Sequence, residues 1–156
     1  MVLDLDFSKL SGTDTLDMAI AIEDEAELYY EQLAEWVGSD KPEVADFFKR
    51  MAVRERRHKE QIMAQRKRLY GDAPTSDAHK VSWAVEMPDF YKVPDDVTLA
   101  QAFDIAMESE TRAHDFYDGA IEYVTDDKVE ELFTGLRQAE AEHQRLLDEE
   151  KRHFLG

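Results

Sequence analysis

Four stretches of the chain place apolar residues at steps of three and four, the spacing of one face of an α-helix. The first runs from about Asp14 to Val37 and carries Leu16, Ile20, Tyr30, Ala34 and Val37 on its stripe. "SGTD" supplies its start signal and "GSDKP" its stop. The second runs from about Pro42 to Leu69, with Val44, Phe48, Met51, Ile62 and Leu69 on one face, and ends at "YGDAP". The third, about Leu99 to Val124, follows "PDDVT", whose Asp96 or Thr98 is a candidate cap. Its stripe is Leu99, Phe103, Ala106, Tyr117, Ile121 and Val124. The fourth begins near Asp126 and carries Val129, Phe133, Leu136 and Leu147.

The first and second helices are joined by a short connection, as are the third and fourth, so each pair is expected to run antiparallel. The middle connection, residues 70–97, is long enough to cross the bundle and leave the second and third helices parallel. That is the topology of a ferritin-like four-helix bundle. Trp83, Val85, Phe90 and Tyr91 predict that the crossover packs on the bundle. The expectation is an all-α single domain over 1–156, built from helix pair 14–69, crossover 70–97 and helix pair 98–153.

Composition narrows the function classes. There is no cysteine among the 156 residues, which removes disulfides, thiol catalysis and thiolate-held metals together. A formal net charge of −17 argues against nucleic acid, whose phosphates this surface would repel. No apolar run approaches a membrane span, and "MVLDLDFSKL" lacks a signal-peptide pattern, so the expected setting is cytoplasmic.

The stripes are interrupted by charge at matched places. In the second helix the series Val44, Phe48, Met51, Glu55, His58, Ile62 puts a carboxylate and an imidazole in the apolar seam. The fourth helix repeats it as Val129, Phe133, Leu136, Glu140, His143, Leu147. Glu23 breaks the first seam and Glu110 the third. These matches belong to an internal repeat. "LDMAIAIEDEAELYY" (16–30) aligns with "FDIAMESETRAHDFY" (103–117) at an offset of 87, pairing Asp17 with Asp104, Glu23 with Glu110 and Tyr30 with Tyr117. "FKRMAVRERRHKEQI" (48–62) aligns with "FTGLRQAEAEHQRLL" (133–147) at an offset of 85, pairing Glu55 with Glu140 and His58 with His143.

Four inward carboxylates in one core cost several kcal/mol each unless a countercharge meets them. The neighbouring seam positions hold no Arg or Lys. One Glu from each of two helices plus Glu-x-x-His from each of the other two is a two-metal pattern, suited to Fe or Mn, and two divalent ions balance four carboxylates. Tyr30 and Tyr117 are expected to fill the core or to hydrogen-bond ligand carboxylates. Glu27 and His114, one turn after the helix Glu, are near neighbours of the site or surface residues. A further Glu-x-x-His, Glu150 with His153, has no counterpart in the first half and reads as a solvated tail. Glu108 reads as solvated, and His79 in the crossover carries no signal.

"AIEDEAELYYEQLAE", "RERRH", "AMESETRAHDFY" and "AEAEHQRLL" together resemble the rubrerythrin-related branch of the ferritin-like superfamily over the whole helical body. The resemblance implies a non-haem di-iron centre that reacts with hydrogen peroxide or dioxygen, in a homodimer or larger assembly. It assigns Glu23, Glu55, His58, Glu110, Glu140 and His143 as ligands, with Glu55 and Glu140 bridging. Two departures matter. Without cysteine the chain has no rubredoxin-type iron centre, so electrons would come from a separate donor protein or from Fe(II). Where the family typically adds a carboxylate one turn after the third-helix Glu, this chain has Ala113, which leaves a ligand set closer to bacterioferritin-type ferroxidase sites. The leading expectation is a di-iron peroxidase or ferroxidase. Its alternatives are a ferritin-like iron-sequestering protein and a di-manganese catalase-like enzyme.

Overall fold

The computed structural model describes residues 6–74 and 97–155, and the apolar residues expected to pack in the crossover, with His79 and Asp96, lie outside them. Four long helices carry the fold: α1 (Gly12–Val37), α2 (Pro42–Tyr70), α3 (Leu99–Ala120) and α4 (Asp127–Leu155). The described residues contain no strand. None of their helices is long and apolar enough to cross a membrane.

Local chemistry sets the helix ends. Ser11 and Asp14 form a reciprocal capping box at the start of α1, and Thr98 with Gln101 does the same for α3. Pro42 occupies the first turn of α2, where its missing N–H costs nothing. Asp126 accepts from the Val129 N–H at 3.0 Å and from Arg68 of α2 at 2.5 Å, so one carboxylate caps α4 and ties it to its neighbour. Gly38 and Gly71 end α1 and α2 at φ of 57° and 59°, a region costly for any residue with a Cβ. The third helix stops earlier than its stripe suggests. After Ala120 the chain tightens into a 3-10 turn, Ile121–Tyr123, whose Tyr123 ring stacks with Phe7 at 6.3 Å. The fourth runs on to Leu155, so Glu150 and His153 are helical rather than a tail.

Helix α1 packs chiefly on α2 and α3 on α4; the two hairpins then meet through α1 against α3 and α2 against α4. Two cross-links give the direction. Tyr30 of α1 bonds Glu110 of α3, while Tyr117 of α3 bonds Glu23 of α1, which requires α1 and α3 to run antiparallel. Since hairpin partners are also antiparallel, α2 and α3 are parallel, as the long crossover predicts. This is the ferritin-like bundle.

The core is split. One apolar cluster gathers the end of α1 and the starts of α2 and α3, including Tyr30, Leu33, Phe47, Phe48 and Phe103. The other gathers the start of α1 and the end of α3, with Ile22, Ile62, Phe116, Tyr117 and Phe133. Each aromatic layer is a copy of the other: Tyr30 lies 6.1 Å from Phe48, and Tyr117 lies 5.1 Å from Phe133. Between the clusters sits the polar layer. On α1 the inward positions flanking it are Ala19 and Ala26, both essentially inaccessible, while Ile20 is only partly buried at the edge.

Candidate metal centre

All four seam carboxylates are sequestered: Glu23, Glu55 and Glu140 are 0% exposed and Glu110 1%. The helical period carries them inward, and the repeat brings them to one level. Their donor atoms converge in two groups. Glu23, Glu55, His58 and Glu140 form one, and Glu55, Glu110, Glu140 and His143 the other, with donors in each within 4.8 Å of one another. Glu55 and Glu140 belong to both. The imidazoles face each other at 5.6 Å between ring centroids. His58 Nδ1 lies 3.6 Å from Glu23, 3.8 Å from Glu55 and 3.4 Å from Glu140. His143 Nδ1 lies 2.8 Å from Glu55, 3.2 Å from Glu110 and 3.7 Å from Glu140.

Few of these contacts are hydrogen bonds. Both oxygens of Glu55, both of Glu140, Oε2 of Glu23 and Nδ1 of His58 are buried without a hydrogen-bond partner among the described residues. Even the 2.8 Å approach of His143 to Glu55 Oε1 does not have hydrogen-bonding geometry. Buried polar groups are rarely left so, because each forfeits its hydration. The outer carboxylates are better satisfied, Glu110 at both oxygens, since His143 Nδ1 bonds its Oε2 at 3.2 Å. Tyr30 Oη donates to Glu110 Oε1 at 2.5 Å and Tyr117 Oη to Glu23 Oε1 at 2.6 Å, leaving the second oxygen of each directed at the cluster.

The electrostatics divide the carboxylates into two kinds. Burial, then the neighbouring negative charges of Glu110 and Glu23, push Glu55 well above the ordinary carboxylate range. Burial and the charges of Glu110, Glu55 and Glu23 do the same to Glu140. Burial opposes ionisation of Glu23 as well, but its close polar contacts with Glu55 and His58 and the Tyr117 hydrogen bond outweigh it and hold its carboxyl down to about 2. Glu110 is lowered the same way, burial being outweighed by Glu140, His143 and Tyr30. Burial disfavours a charged imidazole, yet surrounding carboxylates lift His58 to about 12 and raise His143 strongly too. Without metal, the cluster is neutralised by protons on its bridging pair and its imidazoles. Hard oxygen donors, two nitrogens, no sulfur and orphaned inward lone pairs suit a pair of divalent first-row ions.

The remaining ionisable residues separate from this centre. Glu27 is buried but turned to α2, where Arg56 and Lys59 each donate to it at 2.8 Å. His114 is half-buried beside Asp115 at 3.3 Å. Glu108 is exposed and accepts from Arg112. Glu150 and His153 lie on the last turns of α4 and join neither donor group.

One element of the repeat is not visible in the apolar stripes. Arg66 of α2 binds buried Asp17 of α1 through Nε at 2.5 Å, and Lys151 of α4 binds Asp104 of α3 at 2.6 Å. The cations are themselves related by the offset of 85, so extending the alignment beyond Ile62 would have found them. They brace each hairpin rather than touch the centre.

No curated protein matches the sequence. Among solved structures, the chain is similar to Hypothetical Protein Pfu-1136390-001 from Pyrococcus furiosus, with a TM-score of 0.72 and 20% identity over 97% of this chain and 96% of that one. At that identity the likeness speaks for the fold. Residues 14–151, which hold both hairpins and all six converging donors, match the rubrerythrin family, and the chain is therefore a member of that family.

Proposed function

We propose that the six-residue cluster binds two iron ions and that the protein is a non-haem di-iron oxidoreductase acting on hydrogen peroxide or dioxygen. The observation that carries this reading is the sharing of Glu55 and Glu140 between two donor groups, with their oxygens buried and unbonded. A single ion would leave one group unmet. A metal-free core would bear the desolvation of four carboxylates for no structural return.

In this reading Glu23 and His58 hold one ion, Glu110 and His143 the other, and Glu55 and Glu140 both. Tyr30 and Tyr117 fix the outer carboxylates. Burial and the neighbouring carboxylates push both phenols well above their ordinary range, so they stay protonated and keep donating. The apolar clusters exclude water on either side. Bound as Fe(II), the pair would supply the two electrons that peroxide reduction consumes (H2O2 + 2 e⁻ + 2 H⁺ → 2 H2O), to be restored by an external donor protein or further Fe(II).

We further propose one ferritin-like domain over 1–156, working as a homodimer or larger homo-oligomer. A second reading, iron sequestration, draws on buried Ala113, which leaves the ligand set without an additional carboxylate. Native mass separates the two: a large shell favours storage, a dimer favours an oxidoreductase.

The test is anaerobic Fe(II) loading, then separate challenge with peroxide and with O2 while stoichiometry is recorded. Two Fe(II) oxidised per peroxide supports the peroxidase. Oxidation by O2 alone points to a ferroxidase. Disproportionation without reductant, in protein that takes up Mn, favours a catalase-like centre. Absence of bound Fe or Mn would end the metal reading.

A further inference from the structure

The two donor groups are equivalent by repeat but not in their surroundings. The His58 side chain is 13% exposed, whereas that of His143 is 4%. Beside His58 a groove of ≈ 560 Å³ opens between α2 and α4. Gln61 and Gln65 wall it from α2, and Gly135, Leu136 and Ala139 wall it from α4. The helical spacings 58-61-65 and 135-139 show why: each set is one ridge, and the α4 ridge carries no bulk at two of its positions.

The offset of 85 identifies what occupies the matching positions beside His143. Gly135 and Ala139 correspond to Arg50 and Arg54, and Gln61 corresponds to Leu146, which packs against the apolar cluster. Leu132, at the groove's side, corresponds to Phe47, buried at 4%. The wall beside His58 is therefore small and amide-lined, while the matching positions beside His143 carry the larger Arg50, Arg54, Leu146 and Phe47.

We infer that metal ions and small polar substrates reach the centre through the α2/α4 groove at His58, and that the His143 position exchanges more slowly behind it. This rests on the two-metal reading above. Gln61 and Gln65 offer amide oxygens and nitrogens to a partly hydrated cation or to peroxide, and Lys128 with Glu131 at the groove's edge leaves no single sign of charge to repel either.

Gly135 allows a clean test, because a Cβ built there meets nothing within 4 Å and the position is exposed. Co(II) is added to the full-length metal-free protein, and its absorption follows loading and subsequent removal by EDTA. Wild type should load and release two ions in two unequal phases. Gly135→Leu should slow the fast phase several-fold with the final stoichiometry unchanged, and Ala139→Leu should act likewise. Gln138→Leu, exposed on the same helix but outside the groove, should leave both phases as they are. Two ions exchanging in one phase, or groove variants with wild-type rates, would overturn the inference while leaving the metal centre intact. Failure to bind Co(II) at all would remove the two-metal reading itself.

Discussion

Tyr30 on α1 donates its hydroxyl to Glu110 on α3, and Tyr117 on α3 returns the same bond to Glu23 on α1. Each phenol thus serves the opposite hairpin. Seven residues along a helix is about 10 Å of axial rise, too far for a tyrosine to turn back on its own helix's Glu. Antiparallel packing closes that gap from the other side. Removing the hydroxyl leaves a buried carboxylate oxygen unmet, at about 1–3 kcal/mol. Tyr30→Phe and Tyr117→Phe should each lower the denaturant midpoint and weaken metal binding about 10–100-fold, as partners that orient a ligand do. Isothermal titration of the two variants should give similar losses, because the repeat makes their environments alike.

Sharing predicts unequal consequences for the carboxylates. Glu55→Ala or Glu140→Ala removes a donor from both groups, so tight binding of both ions should fail. Glu23→Ala or Glu110→Ala touches one group each and should leave one ion bound. Elemental analysis after gel filtration distinguishes two, one and none.

The same residues burden the metal-free fold. Glu55→Leu with Glu140→Leu replaces two buried polar groups that no donor satisfies by apolar side chains of similar size, and such replacement can stabilise by about 1–4 kcal/mol. The double variant should unfold at a higher temperature than metal-free wild type by calorimetry, yet gain nothing from added Fe(II). A lower midpoint than metal-free wild type would count against it.

Metal must displace the protons that neutralise the metal-free cluster. Glu55 and Glu140 are raised well above the ordinary range by burial and like charge, and carboxylates lift His58 to about 12. His143 is raised as well. Loading at neutral pH should therefore release protons. Affinity should rise with pH and fall as acid returns the protons. Titration in buffers of different ionisation enthalpy measures the release directly.

The braces outside the centre should differ in weight. Asp17 is 6% exposed and Arg66 13%, so Arg66→Met strands a buried carboxylate and should cost several kcal/mol, approaching the 3–5 typical of broken buried pairs. Lys151→Met breaks the matching pair at 37% and 65% exposure and should cost less than about 1 kcal/mol. Urea denaturation of both variants checks the contrast.

Much of this was legible in the chain because helix periodicity and repetition are local signals. Glu55 and His58 stand out only against an apolar series, and Glu140 and His143 confirm them at a fixed offset. What escaped is what periodicity does not weight. Ala19 and Ala26 line the inner face of α1 and Ile20 does not, since close helix approach selects small residues that a hydrophobic stripe undervalues. The pairing of Arg66 with Asp17 escaped because a cation between long helices looks like any surface charge until its partner is placed. The groove at Gly135 escaped for a related reason: it is defined by bulk that is missing.

The polar layer draws three of its six donors from each hairpin: Glu23, Glu55 and His58 from the first, Glu110, Glu140 and His143 from the second. One hairpin is thus half a centre, and two identical hairpins related by a two-fold axis would contribute the whole set. The architecture is that of a symmetric pair fused into one chain. Fusion frees the halves to diverge, so the same place in the design can hold Gly135 in one half and Arg50 in the other.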